Sequence, residues 1–311
     1  MNSGLAIGID IGGTNSVVGL VNNAGEIISE SKLKTTAYES FDSFVEAIAD
    51  LIAKLTEGHE LNGIGVGAPN GNYYTGTIEQ APNLPWKGVL NLQEKLASKT
   101  GLKTIITNDA NAAAQGEKIF GDAKAMKHYL MITLGTGLGS GIVVDGKIVY
   151  GHDGFAGEIG HIIANPNGRD CNCGRKGCVE TYASATGICR TVSKLLADRR
   201  IDSSLRDVSF ADLTSKQITA AALQGDEVAK EAFEYTAKIL GVALANAIAI
   251  LSPEAIFLFG GLTKAGDLLF DPLKESIDSN VLKIFRGKTK ILPSGIQGKN
   301  AAVLGAASLV Y

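Results

Sequence analysis

Cysteine is scarce in this sequence, with four residues in 311. So few in so long a chain do not make a disulfide framework, and Cys171, Cys173 and Cys178 stand too close together to cross-link distant parts. A long basic run is also lacking, and the net charge is −3, which argues against nucleic acid as a partner. The N-terminal MNSGLAIGIDIGG has no basic n-region and carries Asp10 inside its apolar stretch, so a signal peptide is not expected. No apolar run is long enough to span a bilayer. The longest, ILGVALANAIAIL (239–251), contains Asn246 and reads as a buried core helix. These absences lead us to expect a cytoplasmic protein without a membrane partner.

What the chain has is glycine, 38 residues of it, and a hydrophobic content of 45%, enough for a sizeable core and two domains. The glycines cluster, as they do where backbone must turn or approach something closely. LAIGIDIG (5–12) reads as a buried strand, and GLVNNAGEIISES (19–31) as two strands around an Asn/Gly turn. Phe44, Ile48, Leu51, Ile52 and Leu55 recur at helical steps. A strand (64–69), a helix near 89–99, a strand (104–109) and a small-residue helix from Ala110 follow. HYLMITLG (128–135) opens a second round, with a hairpin on Asp145-Gly146. Segment 180–198 reads as helix, AIFLFGG (255–261) and TKILPS (289–294) as strands, and 301–310 as a last helix. Strands alternating with helices define an α/β fold with layered sheets.

GGTNSVVGLVNNAGEI (12–27) and LGTGLGSGIVVDGKI (134–148) form an internal repeat. Thr14 precedes Gly19 by five residues, as Thr136 precedes Gly141, and each run follows an apolar strand. Two glycine hairpins can look alike by composition alone. The sharper reading is two similar domains, each offering a hairpin to one ligand. A glycine turn after a strand leaves backbone N–H groups free for phosphate oxygens. Gly287-Lys288-Thr289 is not a P-loop, because Leu282 stands where the first glycine must be. In GTGLGSG (135–141), Ser140 occupies the third glycine of a dinucleotide fingerprint and a hairpin follows instead of a helix.

Asn108-Asp109 closes a strand before a helix. An Asp there either caps the helix or, favoured in its ionised form by the helix N-terminus, serves as a base. Cys171 and Cys173 are separated by one residue, so a disulfide between them would be badly strained. Three thiolates in a tight loop, with Gly174 and Gly177 letting it fold back, suit a closed zinc site, although Cys-x-Cys-x₄-Cys is a less usual spacing than paired CxxC and three free thiols are the alternative. Cys189 lies in the helical segment and reads as a core residue, so His161 is the better fourth ligand. His59, His128 and His152 read as ordinary surface or turn residues.

GIDIGGTN, GTGLGSG, NDANAAA and GEIGH…CNCGRKGCVE together resemble the ROK (repressor, open reading frame, kinase) sugar kinases, from about residue 5 to residue 310. Within the family the chain is similar to the bacterial glucokinases. The resemblance implies two ribonuclease-H-like lobes of the actin/hexokinase type, a small one (1–119 plus 298–311) and a large one (120–297) with a zinc-binding loop at 161–178. It implies Mg-ATP held by Asp10, Gly12, Gly13, Thr14, Asn15, Thr136, Gly137, Gly260 and Gly261, with Asp10 on the Mg²⁺. It implies Asp109 as the base, Asn108, Glu158, His161 and Glu180 as sugar ligands, and Asn83 of APNLPW (81–86) on the substrate side. Structural Zn would then sit on His161, Cys171, Cys173 and Cys178, positioning Glu158, His161 and Glu180 without doing chemistry. A homodimer is also implied.

The expected reaction is transfer of phosphoryl from ATP to a hexose 6-hydroxyl, most simply that of glucose. Fructose, mannose, N-acetylmannosamine, N-acetylglucosamine and allose are the alternative acceptors. The family's repressors carry an N-terminal DNA-binding domain, for which a first strand at Leu5 leaves no room, so a non-catalytic sugar sensor is not the expectation. Asn70 departs from the pattern, standing where glucokinases often carry glycine.

Overall fold

The computed structural model describes residues 4–296 and 300–311. The chain opens with β1 (Leu5–Ile11), β2 (Asn15–Asn22), β3 (Ile27–Lys34), α1 (Phe41–Leu55) and β4 (Ile64–Gly67). Three short strands follow, β5 (Gly71–Asn72), β6 (Thr77–Glu79) and β7 (Val89–Leu90), then α2 (Leu92–Thr100), β8 (Thr104–Thr107) and α3 (Asp109–Ile119). The second round comprises β9 (Tyr129–Leu134), β10 (Leu138–Val144) and β11 (Lys147–Ile148). After it come α4 (Ala185–Asp198), α5 (Ser215–Leu223), α6 (Glu227–Leu251), β12 (Ala255–Gly260), α7 (Asp267–Asn280), β13 (Lys290–Pro293) and α8 (Ala301–Ala307).

Two five-stranded sheets result, β3-β2-β1-β4-β8 and β11-β10-β9-β12-β13. In chain order each runs third, second, first, fourth, fifth, so the repeat seen in the hairpins extends to whole sheets. In the first, β1–β2 and β2–β3 pair antiparallel while β1–β4 and β4–β8 pair parallel. In the second, β10–β11 is antiparallel and β9, β12 and β13 are parallel. Each antiparallel hairpin needs only a turn, whereas each parallel step needs a crossover, which is where the helices fall.

Contacts divide the chain into two units, Met1–Lys127 with Gly141–Gly157 and Ser294–Tyr311, and His128–Ser140 with Glu158–Pro293. The expected change of lobe at residues 119 and 120 falls instead at 127 and 128, and 141–157 joins the first unit. The expected boundary at 297 and 298 lies outside the described residues.

In the first unit, alternation along β1 sends Ile7, Ile9 and Ile11 into a core with Phe44, Ile48, Val66 and Leu96, each fully or nearly fully buried. Each such side chain is worth about 2 kcal/mol of burial. The opposite face packs on α8 through Ala6 and Val21 against Val303, Leu304 and Ala307. The helix lies so close that a β-carbon on Gly8 would stand 2.1 Å from the Val303 carbonyl oxygen. The small sheet β5-β6-β7 has no hydrophobic alternation long enough to announce it in the sequence.

In the second unit, Tyr129 and Phe257 meet edge to face at 5.8 Å inside the parallel strands. The apolar run 239–251 is the end of α6, which is 25 residues long and meets the length and apolarity of a membrane span, with half of its most apolar window buried. Two readings need correction. The segment 180–198 is not one helix: Ser184 caps α4 by accepting a hydrogen bond from Gly187 N–H at 3.0 Å, and a 3₁₀ turn (Val179–Thr181) precedes it. And β2 begins at Asn15 rather than Gly19, because its first residues pair with both β1 and β3.

Candidate active site

The candidate residues form two groups, one in each unit. In the first unit, Gly12, Gly13, Thr14 and Asn15 make the turn from β1 to β2, with Gly12 N–H donating to the Asn15 carbonyl at 3.0 Å. Thr14 and Asn15 are exposed. The turn is held by Thr35, a buried residue the sequence did not single out. Its N–H donates to the Thr14 carbonyl at 2.9 Å, and its hydroxyl donates to the Gly12 carbonyl at 2.8 Å and meets the Ser16 hydroxyl at 2.8 Å. Gly13 lies against Asn83, whose carbonyl oxygen would be 2.4 Å from a β-carbon there. The β1–β2 turn and the segment that carries Asn83 thus meet at a glycine.

Asp10, next to last in β1, is opposite Gly67 of β4. A β-carbon at Gly67 would lie 3.3 Å from that of Ala112 and 3.7 Å from the Asp109 α-carbon, so this glycine lets α3 start close to the strand that carries Asp10. Burial pushes the Asp10 carboxyl up from 3.8 to about 6, and the Asp109 charge adds to the shift. Asp109 is also raised, by burial first, against hydrogen bonds from backbone N–H groups, among them Ala110 at 2.8 Å to Oδ1. Its side chain touches solvent and yet lies deep among protein atoms. The second property governs the shift, because loss of hydration depends on the bulk of low-dielectric protein around a charge.

Asn108, not Asp109, caps α3, its Oδ1 accepting from Asn111 N–H at 2.7 Å. The capping reading of Asp109 is therefore met by its neighbour, and the carboxylate is left for other work. One turn on, the Asn111 side chain is fully buried, with neither amide atom in a hydrogen bond. Asn70 has φ +51°, the left-handed region that glycine and asparagine enter most readily. Its amide donates to the Glu79 carbonyl at 2.9 Å.

In the second unit, the β9–β10 turn carries Thr136 and Gly137. It is fastened by the residues after Glu180: Ala185 N–H donates to the Gly135 carbonyl at 2.8 Å and the Thr186 hydroxyl to the Thr136 carbonyl at 2.8 Å. Leu138 N–H donates to Glu180 Oε2 at 3.0 Å. Ser140, the residue that broke the glycine fingerprint, is buried and accepts from Ile159 N–H at 3.1 Å, steadying the 3₁₀ turn Ile159–His161. That turn brings Glu158 Oε2 to 3.9 Å from His161 Nε2, the facing expected of residues three apart. Gly260 has φ +118° and would place a β-carbon 2.3 Å from the Leu134 carbonyl oxygen, whereas Gly261 opens on free space.

His161 Nδ1 lies 3.8 Å from Cys171 Sγ, and the Sγ atoms of Cys173 and Cys178 are 3.6 Å apart. All four ligand atoms fall within 4.8 Å of one another, and all four cysteines are free thiols. A zinc tetrahedron with Zn–S near 2.3 Å has edges of about 3.8 Å, so the donor set fits the ion. Loss of hydration works against ionising Cys173, but hydrogen bonds from Arg175 bring it down to about 6. Burial pushes Cys171 and Cys178 up. Cys189 is outside the cluster, buried, with its thiol directed at the Leu213 carbonyl at 3.4 Å. His59 and His152 are exposed and His128 partly so.

Arg169 was not foreseen. Its guanidinium donates to the carbonyls of Thr181 (2.8 Å) and Gly187 (3.0 Å) and to the Thr191 hydroxyl (3.0 Å), and lies 4.6 Å over the Tyr182 ring. It ties the cysteine loop to the turn that carries Glu180.

Paired sheets of one topology, each with a glycine turn after its first strand, define the actin and hexokinase fold class. The chain belongs to the ROK family, whose sequence model matches residues 6–311. It is 38% identical to a glucokinase of Halalkalibacterium halodurans, over 98% of this chain and 94% of that one. It is 36% identical to a glucokinase of Thermotoga maritima, over 98% and 96%. A ROK family glucokinase from Streptomyces griseus, solved in complex with glucose and AMPPNP, superposes with a TM-score of 0.83 at 36% identity, covering 98% of this chain and 99% of that one.

Proposed function

We infer that this protein is an ATP-dependent hexose kinase that phosphorylates glucose at its 6-hydroxyl. The similarity to glucokinases over nearly the full length of both chains supports the class of reaction. The observation in the site that carries it is the division of labour at the start of α3: Asn108 caps the helix, and Asp109 keeps a carboxylate of raised pKa.

With Oδ1 held by Ala110 N–H, Asp109 takes the 6-hydroxyl proton on Oδ2. The sugar oxygen forms its bond to the γ-phosphorus as the bond from that phosphorus to the β–γ bridging oxygen breaks, and ADP leaves with the electron pair. A base whose pKa is raised by burial accepts that proton better than an ordinary carboxylate. Asn108 offers the sugar its amide Nδ2, because Oδ1 is engaged in the cap. Glu158, His161 and Glu180 read further hydroxyls.

Gly12, Gly13, Thr14 and Asn15 in one turn, and Thr136 and Gly137 in the other, present backbone N–H groups and hydroxyls to the phosphates. Gly260 and Gly261 pass beside the adenosine. Asp10 would hold the Mg²⁺, being a carboxylate short of water and under the charge of Asp109, which a cation relieves. Magnesium supplies charge neutralisation on the phosphates. Zinc on His161, Cys171, Cys173 and Cys178 is structural. With Nδ1 on the metal side, His161 keeps its proton on Nε2, where it can donate to a sugar hydroxyl. The units at 1–127 with 141–157 and 294–311, and at 128–140 with 158–293, replace the lobe limits expected from sequence. A cytoplasmic homodimer that binds no DNA completes the reading.

The test is ADP release from Mg-ATP across a panel of sugars. Glucose-dependent turnover is expected. Turnover confined to fructose, mannose or an N-acetylhexosamine would keep the mechanism and overturn the acceptor. Saturable glucose binding without turnover would turn the protein into a sensor.

A further inference from the structure

We propose that Glu180 is a positioning residue for the nucleotide turn as well as a sugar ligand, so that acceptor and nucleotide binding are coupled through one carboxylate. The inference rests on the kinase reading and deepens it.

The two oxygens of Glu180 face different partners. Oε2 accepts from Leu138 N–H at 3.0 Å, at the point where the turn 135–137 enters β10. Oε1 lies 3.8 Å from Cys171 Sγ, a member of the zinc cluster. Gly137 is packed so closely on the carboxylate that a β-carbon there would stand 2.2 Å from Oε2. The two other fastenings of the turn, from Ala185 and Thr186, come from the residues just after Glu180. The Ser184 hydroxyl donates to the Glu180 carbonyl at 2.7 Å, joining these residues into one support. Arg169 holds the same stretch through the Thr181 carbonyl.

A charged acceptor fixing a backbone N–H in a partly buried setting is among the stronger hydrogen bonds. Together with the fastenings from Ala185 and Thr186, the bond holds the backbone that carries the N–H groups of Thr136 and Gly137. A sugar hydroxyl that binds Glu180 acts on the same carboxylate. By linkage, the factor by which the sugar changes nucleotide affinity is the factor by which the nucleotide changes sugar affinity.

The experiment is titration of the full-length, zinc-loaded protein with a non-hydrolysable ATP analogue and Mg²⁺, without sugar, for the parent and for Glu180→Asp and Glu180→Gln. Aspartate keeps the charge but is one methylene short of Leu138 N–H, whereas glutamine keeps an oxygen acceptor at full length. Aspartate should weaken analogue binding about tenfold, as the loss of one charge-assisted hydrogen bond predicts, and glutamine should stay within about threefold of the parent. Zinc content, measured on the same samples, should stay at the parent's level. Analogue affinity equal in all three proteins overturns the proposal, as does weakening that tracks lost zinc. A parent protein that binds no analogue overturns the kinase reading instead. Should Glu180→Asp fail to fold, Thr186→Val removes a neighbouring fastening of the same turn, and unchanged analogue affinity in that variant counts against the proposal.

Discussion

The Asp10 carboxyl stands at about 6 because it is buried and because Asp109 adds a second negative charge nearby. Between 3.8 and 6 the folded protein holds a proton on Asp10 that the unfolded chain has released, so this group lowers stability as pH rises through that window. Without Mg²⁺, Asp10→Asn should therefore stabilise the fold by about 3 kcal/mol at pH 7.5 and leave it unchanged near pH 3. Urea denaturation at the two pH values measures it. Equal effects at both would show that the gain does not come from the buried charge. The variant should also lose Mg-ATP turnover.

Asp109→Asn should reduce kcat by about a thousandfold, within the range for loss of a general base, while glucose binding changes little. The raised pKa places an acid limb in the pH profile of the parent, with the rate falling as Asp109 takes up a proton. Rapid-quench turnover and equilibrium glucose binding separate the two quantities. A variant with parental kcat would remove Asp109 from the mechanism.

One zinc per chain is expected by metal analysis, and Cys178→Ser should lower it. Gly177→Ala should do the same without touching a ligand, because φ is +75° and the new β-carbon would fall on the Asn165 carbonyl oxygen, 1.6 Å away. Chelation should abolish glucose binding along with the order of the loop 161–178. Full activity in metal-free protein supplied only with Mg²⁺ would overturn the clamp role.

Arg169→Lys should destabilise the second unit by about 2 kcal/mol, because an ammonium cannot reproduce the forked donation to Thr181, Gly187 and Thr191 or the contact over Tyr182. Hydrogen exchange localises the effect. Protection lost in residues 163–191 and retained in α1 is the expected pattern, and uniform loss would contradict it.

Much of this was legible in one dimension because its physics is local. Strand alternation in LAIGIDI, the Asp145-Gly146 turn with φ +52° and +74°, and the Cys-x-Cys-x₄-Cys spacing each depend on neighbours a few residues away. The repeat of Thr14…Gly19 in Thr136…Gly141 carried further, to two sheets of one topology. The left-handed conformation of Asn70 could not be read from a letter, although asparagine's tolerance of positive φ supplied a clue.

Other features had no local signal. Thr35 and Arg169 gain their roles from groups brought near them by folding, a carbonyl 23 residues away for the one and a turn, a helix and a ring for the other. The order of residues thus determined the fold class, the candidate base and the candidate metal donors, since each follows from periodicity or spacing along the chain or from a family's pattern. Whether Asn108 or Asp109 caps the helix, which His161 nitrogen faces the thiols, and that Glu180 meets Leu138 were settled by packing in three dimensions. Hydrogen bonds and loss of hydration depend on atoms that are neighbours in space and need not be neighbours in sequence.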